Sequence, residues 1–80
     1  MESKTLQRII FELSECKNKR EFSKKIRRSE SYTANMLNSE VNVSVELGID
    51  MMQRLYIDER EIKEVIVEYI KENFFVNQYN

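Results

Sequence analysis

Seven basic residues crowd into the stretch from Lys17 to Arg28: Lys17, Lys19, Arg20, Lys24, Lys25, Arg27 and Arg28, with Glu21 as the one acid among them. A solvated helix face ordinarily mixes signs, so an excess this large suits a surface that faces phosphates; a plain soluble face is the blander alternative. The rest of the chain compensates. Residues 1–40 carry nine Lys/Arg against six Asp/Glu and residues 41–80 carry four against eight, so the net charge of −1 conceals +3 and −4. The acidic half is the wrong sign for a polyanion.

Other chemistries lack their residues. With no histidine and one cysteine, the chain cannot build the common zinc sites, a Ser-His-Asp triad or a Cys-His pair by itself. A single glycine, Gly48, excludes a glycine-rich phosphate loop. Carboxylates are plentiful but fall on faces that read as solvated, and no two of them form an acid/base pair by pattern. The expectation is a non-enzymatic protein with no metal and no cofactor.

Size and composition bound the scaffold that must hold the basic stretch. Eighty residues with 41% apolar and 34% charged content describe one globular domain covering residues 1–80, not a disordered chain. A chain this short buries about 60% of its unfolded surface, so its core is thin and a homodimer would help it. No apolar run is longer than three residues, which leaves no membrane span and no signal-peptide core. Together with the lone Cys16, read as a small apolar residue rather than a reactive thiol, this suggests a cytoplasmic protein.

With no proline and one glycine, the breaks must come from capping residues, and they mark five helices. Leu6, Ile9, Ile10 and Leu13 repeat at helical spacing, predicting a first helix over about Ser3 to Cys16 with Phe11 off the stripe and partly exposed. Asn18 and Glu21 have the form of a capping box opening a second, very basic helix that turns Phe22 and Ile26 inward. Ser29 or Ser31 caps a third helix through Tyr32, Met36 and Leu37 to about Asn38. Asn42 or Ser44 caps a fourth, with Val45, Ile49, Met52 and Leu55 inward, and with Gly48 on that face implying close approach of another helix. Asp58 and Glu61 form a second capping box before a long C-terminal helix over about 59–76, after which residues 77–80 fray. Alternation of Val41, Val43, Val45 and Leu47 allows a strand, but with no partner run we expect a loop entering the fourth helix and no sheet.

A short basic helix, a tight break, a second short helix, a polar loop and two more helices resemble the Cro and lambda-repressor-like (XRE-type) helix-turn-helix family of phage and bacterial regulators. The resemblance spans about residues 4–62, with the helix-turn-helix at about 18–38. It rests on Glu21-Phe-Ser-Lys-Lys-Ile26, Ser29-Glu-Ser-Tyr-Thr-Ala-Asn-Met-Leu-Asn38, Asn42-Val-Ser-Val-Glu-Leu47 and Leu55-Tyr-Ile57. It implies a compact all-α, five-helix fold with Phe22 and Ile26 in the core, Ser23 where two helices cross, and Ser29 opening the recognition helix. The chain departs from the family at Arg27, usually glycine, Arg28, often a buried aliphatic, Thr33, usually isoleucine or valine, and Lys19, often glutamine.

The resemblance further implies a sequence-specific, repressor-like transcriptional regulator that docks its third helix in the major groove of double-stranded DNA. Glu30, Ser31, Tyr32 and Asn35 are then the base-reading candidates, although Tyr32 reads equally well as core. Lys19, Arg20, Lys24, Arg27, Arg28 and Asn38 are the phosphate-contact candidates. Ile62, Val65, Ile66, Tyr69, Ile70 and Phe74 on the last helix are expected to form a homodimer interface, placing two half-sites roughly 34 Å apart. The alternative is a helix-turn-helix reused to bind another regulatory protein, as an inhibitor or antirepressor.

Overall fold

The computed structural model describes residues 4–75, with side chains to residue 74, and contains five α-helices in this order: α1 (Leu6–Ser14), α2 (Lys19–Ile26), α3 (Glu30–Asn38), α4 (Val45–Arg54) and α5 (Glu59–Ile70). A single π-helical turn (Lys71–Phe75) follows α5. No strand occurs among the described residues, so Val41 to Leu47 is loop and helix as the missing partner run required. The fold is all-α. The expected start at Ser3 and the expected fraying of residues 77–80 lie outside the described residues.

Most of the helix starts follow their capping side chains. Asn18, Ser29 and Ser44 each accept a hydrogen bond from the backbone N–H three residues on, at Glu21, Tyr32 and Leu47. Glu21 completes the box one residue early, its carboxylate accepting from the N–H of Lys17. Asp58 accepts from Arg60 rather than Glu61. α1 starts with its apolar stripe at Leu6, where Thr5 caps it and Asn42 Oδ1, 36 positions along the chain, accepts from the N–H of Leu6 at 2.8 Å. It also stops at Ser14, not Cys16: the Ser14 hydroxyl donates to the Phe11 carbonyl and accepts from the N–H of Cys16, diverting both from the helix ladder.

Three helices end on residues with left-handed backbone, and none is glycine: Glu15 (φ 59°), Arg27 (φ 60°) and Tyr56 (φ 60°). After α2 the N–H of Arg28 donates to the Ser23 carbonyl and that of Arg27 to the Lys24 carbonyl; after α4, Ile57 and Tyr56 do the same to Met52 and Gln53. Both ends are Schellman closures, in which glycine is the usual residue at the left-handed position. At the end of α2 it is an arginine that takes this position, strained by about 1 kcal/mol or more.

The core runs through Leu6, Ile10, Phe22, Ile26, Met36, Leu37, Met51, Met52, Ile62 and Tyr69. Phe11, half-buried as expected, packs edge-on against Phe22 at 5.1 Å between ring centroids. α4 turns a slightly different face inward than its apolar spacing predicts. Gly48, Met51 and Met52 are buried, whereas Val45, Ile49 and Leu55 are only half-buried. The reason is α1. A Cβ on Gly48 would lie 2.8 Å from Leu6 Cδ2 and 3.4 Å from Ile10 Cδ1, so the missing side chain lets the two helices meet there.

α5 leans on α4 and turns its own stripe inward, with Ile62 and Tyr69 buried and Val65, Ile66 and Ile70 half-buried. The α-helix stops at Ile70 instead of running to residue 76. Asn73 Nδ2 donates to the Tyr69 carbonyl at 2.8 Å, the acceptor its own N–H would use in an α-helix, and the chain widens into the π turn around that bond.

Candidate nucleic-acid interface

α3 owes its orientation to α1. Gln7 is fully buried, and its side-chain amide donates to the carbonyls of Met36 (3.0 Å) and Val41 (2.8 Å) while its oxygen accepts from the N–H of Val43 (3.0 Å). Arg8 Nε donates to the Leu37 carbonyl at 3.1 Å. Side chains of α1 thereby satisfy carbonyls at the end of α3 and fasten the following loop, so the exposed face of α3 is held by a network that sequence reading did not single out. The signal available was a glutamine bordering the Leu6, Ile10 stripe, which looks like any polar helix position until its three partners are known.

The inward face of α3 is Thr33, Met36 and Leu37. Thr33 is fully buried, and its hydroxyl donates to the Ser29 carbonyl at 2.9 Å, which is how a hydroxyl replaces an aliphatic side chain without an orphaned polar atom. Tyr32 is not core: it is 40% exposed, with the Arg28 guanidinium 5.3 Å above its ring. Glu30, Ser31, Asn35 and Asn38 are exposed. Ser31, Asn35 and Asn38, spaced four and three apart, make one polar outward edge.

Of the phosphate-contact candidates, three are held against α3. Lys19 Nζ donates to Asn38 Oδ1 at 3.3 Å, Arg20 Nε pairs with Glu30 Oε1 at 3.2 Å, and Arg28 lies over Tyr32. Glu30 is thus engaged by an arginine. The exposed pair contributes little to stability, about 0–1 kcal/mol, but it places the guanidinium at the start of α3 and occupies the carboxylate expected to read a base. Asn38, accepting from Lys19, keeps its amide N–H groups to donate outward. Ser23, expected at the helix crossing, is buried with its hydroxyl donating to the Arg20 carbonyl at 2.7 Å.

Lys24 and Arg27 are placed elsewhere. With Lys25 they line a hollow against the end of α4, formed by Asp50, Gln53, Arg54, Leu55 and Tyr56, and none of the three bases pairs with an α3 side chain among the described residues. The basic stretch is therefore divided between two surfaces. On α5, Ile62 (7% exposed) and Tyr69 (6%) belong to the chain's own core, so neither presents a side chain to a second copy. What the expected dimer face still exposes is Phe74 at 58%, packed edge-on to Tyr69, and the partly covered Val65, Ile66 and Ile70; Val67, at 49%, is also exposed on this helix. No described helix is long and apolar enough to cross a membrane. Comparison with protein-family models, curated proteins and solved structures finds no match to this chain.

Proposed function

We propose that this protein is a sequence-specific DNA-binding regulator of the helix-turn-helix kind, docking α3 in the major groove. One observation carries the reading: the outward edge of α3 is polar and unobstructed, and three bases from outside the helix, Lys19, Arg20 and Arg28, are each held against it. Asn35 has the donor and acceptor pair that matches adenine, Ser31 and Asn38 add adaptable hydrogen bonds, and the three bases grip the flanking phosphates. Tyr32, under Arg28, offers an aromatic edge to a thymine methyl or sugar. The activity is binding, not catalysis.

Selection from a random duplex pool followed by gel-shift titration tests this. Wild type is expected to enrich one short motif and to bind it with a log–log salt slope near −3, since each neutralised phosphate contributes about −0.9. Failure to retain any duplex at low salt refutes the reading. A second reading, docking of another protein, has one feature in its favour: a hollow between α4 and α5 lined by Ile49, Tyr56, Ile57 and Ile62. Duplex retention that depends on Lys19 and Arg28 decides for DNA.

A further inference from the structure

The hollow between α2 and α4 has no part in the DNA reading. Its rim carries Lys24, Lys25, Arg27 and Arg54, and over it stands Tyr56, 90% exposed in a strained left-handed conformation. Lys25 has a long i,i+4 contact with Glu21 (3.8 Å) and Arg54 pairs with Asp50 (2.9 Å), while Lys24 and Arg27 have no ion-pair partner among the described residues. One feature makes the hollow a poor fit to a nucleic-acid backbone: Leu55 and Tyr56 give it an apolar side, which suits an acidic surface that carries some hydrocarbon, while the Asp50 carboxylate on its wall is already paired with Arg54.

The same chain carries such a surface. Glu61, Glu64 and Glu68 are exposed on one flank of α5 at spacings of three and four. Neighbours of like charge at this spacing weaken a helix, and Glu68 stands in the last turn, where the helix dipole disfavours a carboxylate. Glu68 reaches only Lys71, at 3.9 Å, and Glu61 and Glu64 pair with no base among the described residues. No member of the row meets a base of its own hollow, so the two complementary surfaces are left unmatched within one molecule. Val67, exposed beside Glu64 and Glu68, supplies the hydrocarbon that the Leu55 and Tyr56 side accepts.

We propose that copies of this protein associate head to tail, the glutamate row of α5 on one copy seated in the basic hollow between α2 and α4 of the next. The two surfaces differ, so the contact is heterologous and extends into rows unless its rotation closes a ring. The α3 edge of every copy stays outside the contact, and the inference stands independently of the DNA reading.

Sedimentation of the purified protein without DNA tests it. Mass is expected to rise with concentration at low salt and to return to the monomer near 1 M salt, where the screening length is about 3 Å. Two variants neutralise one surface each: Lys24→Gln with Lys25→Gln, and Glu64→Gln with Glu68→Gln. All four positions are exposed, and circular dichroism verifies the fold. Each variant alone is expected to lose association by roughly tenfold or more. Mixed together they should form a one-to-one pair, because each retains the surface the other lacks. A monomeric wild type at low salt overturns the proposal, as does association of the variants as strong as wild type. Loss of duplex binding by the lysine variant with no change in mass overturns it too, and assigns the hollow to phosphates.

Discussion

Replacing Gln7 by leucine tests whether the buried amide holds α3 in place. The change keeps volume and removes three hydrogen bonds. Their partners fare differently. The Met36 carbonyl still receives the N–H of Ser39 at 3.3 Å, and the Val41 carbonyl keeps a long contact from the Ser39 hydroxyl at 3.4 Å, but the N–H of Val43 is left with nothing. One orphaned donor costs about 1–3 kcal/mol, the two weakened acceptors add about 1 kcal/mol between them, and the apolar side chain returns roughly 1 kcal/mol by burial. The expected net loss is about 1–3 kcal/mol out of a total near 4–12 kcal/mol for a chain of this length. In a thermal melt followed at 222 nm the midpoint should fall by about 4–24 °C. Gln7→Glu supplies the control: it keeps an acceptor for Val43 but turns a carboxylate oxygen toward two carbonyls. Its deficit should be the larger at neutral pH and should shrink as pH falls through the carboxylate range, because only the protonated acid can donate to Met36 or Val41. A leucine variant within about 0.5 kcal/mol of wild type would falsify the reasoning, since an effect that small cannot include a stranded donor.

The strained helix ends predict gains. Tyr56→Gly should raise stability by about 1 kcal/mol in urea denaturation with little burial lost, and Arg27→Gly should do the same; a loss at either position contradicts the left-handed assignment. Gly48→Ala sets a helix-propensity gain of about 1 kcal/mol against overpacking of about 1–3 kcal/mol, because both neighbours of the added methyl are fully buried. A net loss near 1 kcal/mol is expected, and Leu6→Val should cost less in that background than in wild type. On DNA, Lys19→Ala and Arg28→Ala should each flatten the log–log salt slope by about 1 while leaving the selected motif unchanged. Asn35→Ala should cost about 1–3 kcal/mol at the selected site and relax one base position, leaving random duplex nearly unaffected. Recovery of the same motif at the same strength by the Asn35 variant removes it from the reading edge.

What was legible in the sequence was local. Asn18, Ser29 and Ser44 announce their helices because a capping side chain and its backbone partner lie three residues apart, and Gly48 announces a close approach because a glycine inside an apolar stripe has few other uses. What escaped was settled at a distance. The N–H of Leu6 at the start of α1 finds its acceptor on Asn42, and Gln7 belongs to the core because its partners lie 29 to 36 residues on. For α4, apolar spacing alone could not register that α1 would press at Gly48 and draw Met51 inward. The candidate site divides the same way. Charge counting located the basic stretch, yet only folding shows that Lys19, Arg20 and Arg28 gather round α3 while Lys24 and Arg27 turn toward α4.

The bonds from Leu6, Gln7 and Arg8 to residues 36–43 close the chain into a clasp, with α2 and α3 as the loop held inside it. α5 lies outside this clasp and rests on α4. Amide exchange should therefore divide the molecule into two cooperative units. The N–H groups of Leu6 and Val43, each bonded to a side chain 36 residues away, can open only when the clasp does, and they should exchange in step with the interior of α3. The amides of α5 can exchange by undocking that one helix while the reading edge stays assembled. Changes confined to the last helix are thus free to alter what the protein assembles with and leave untouched what α3 presents.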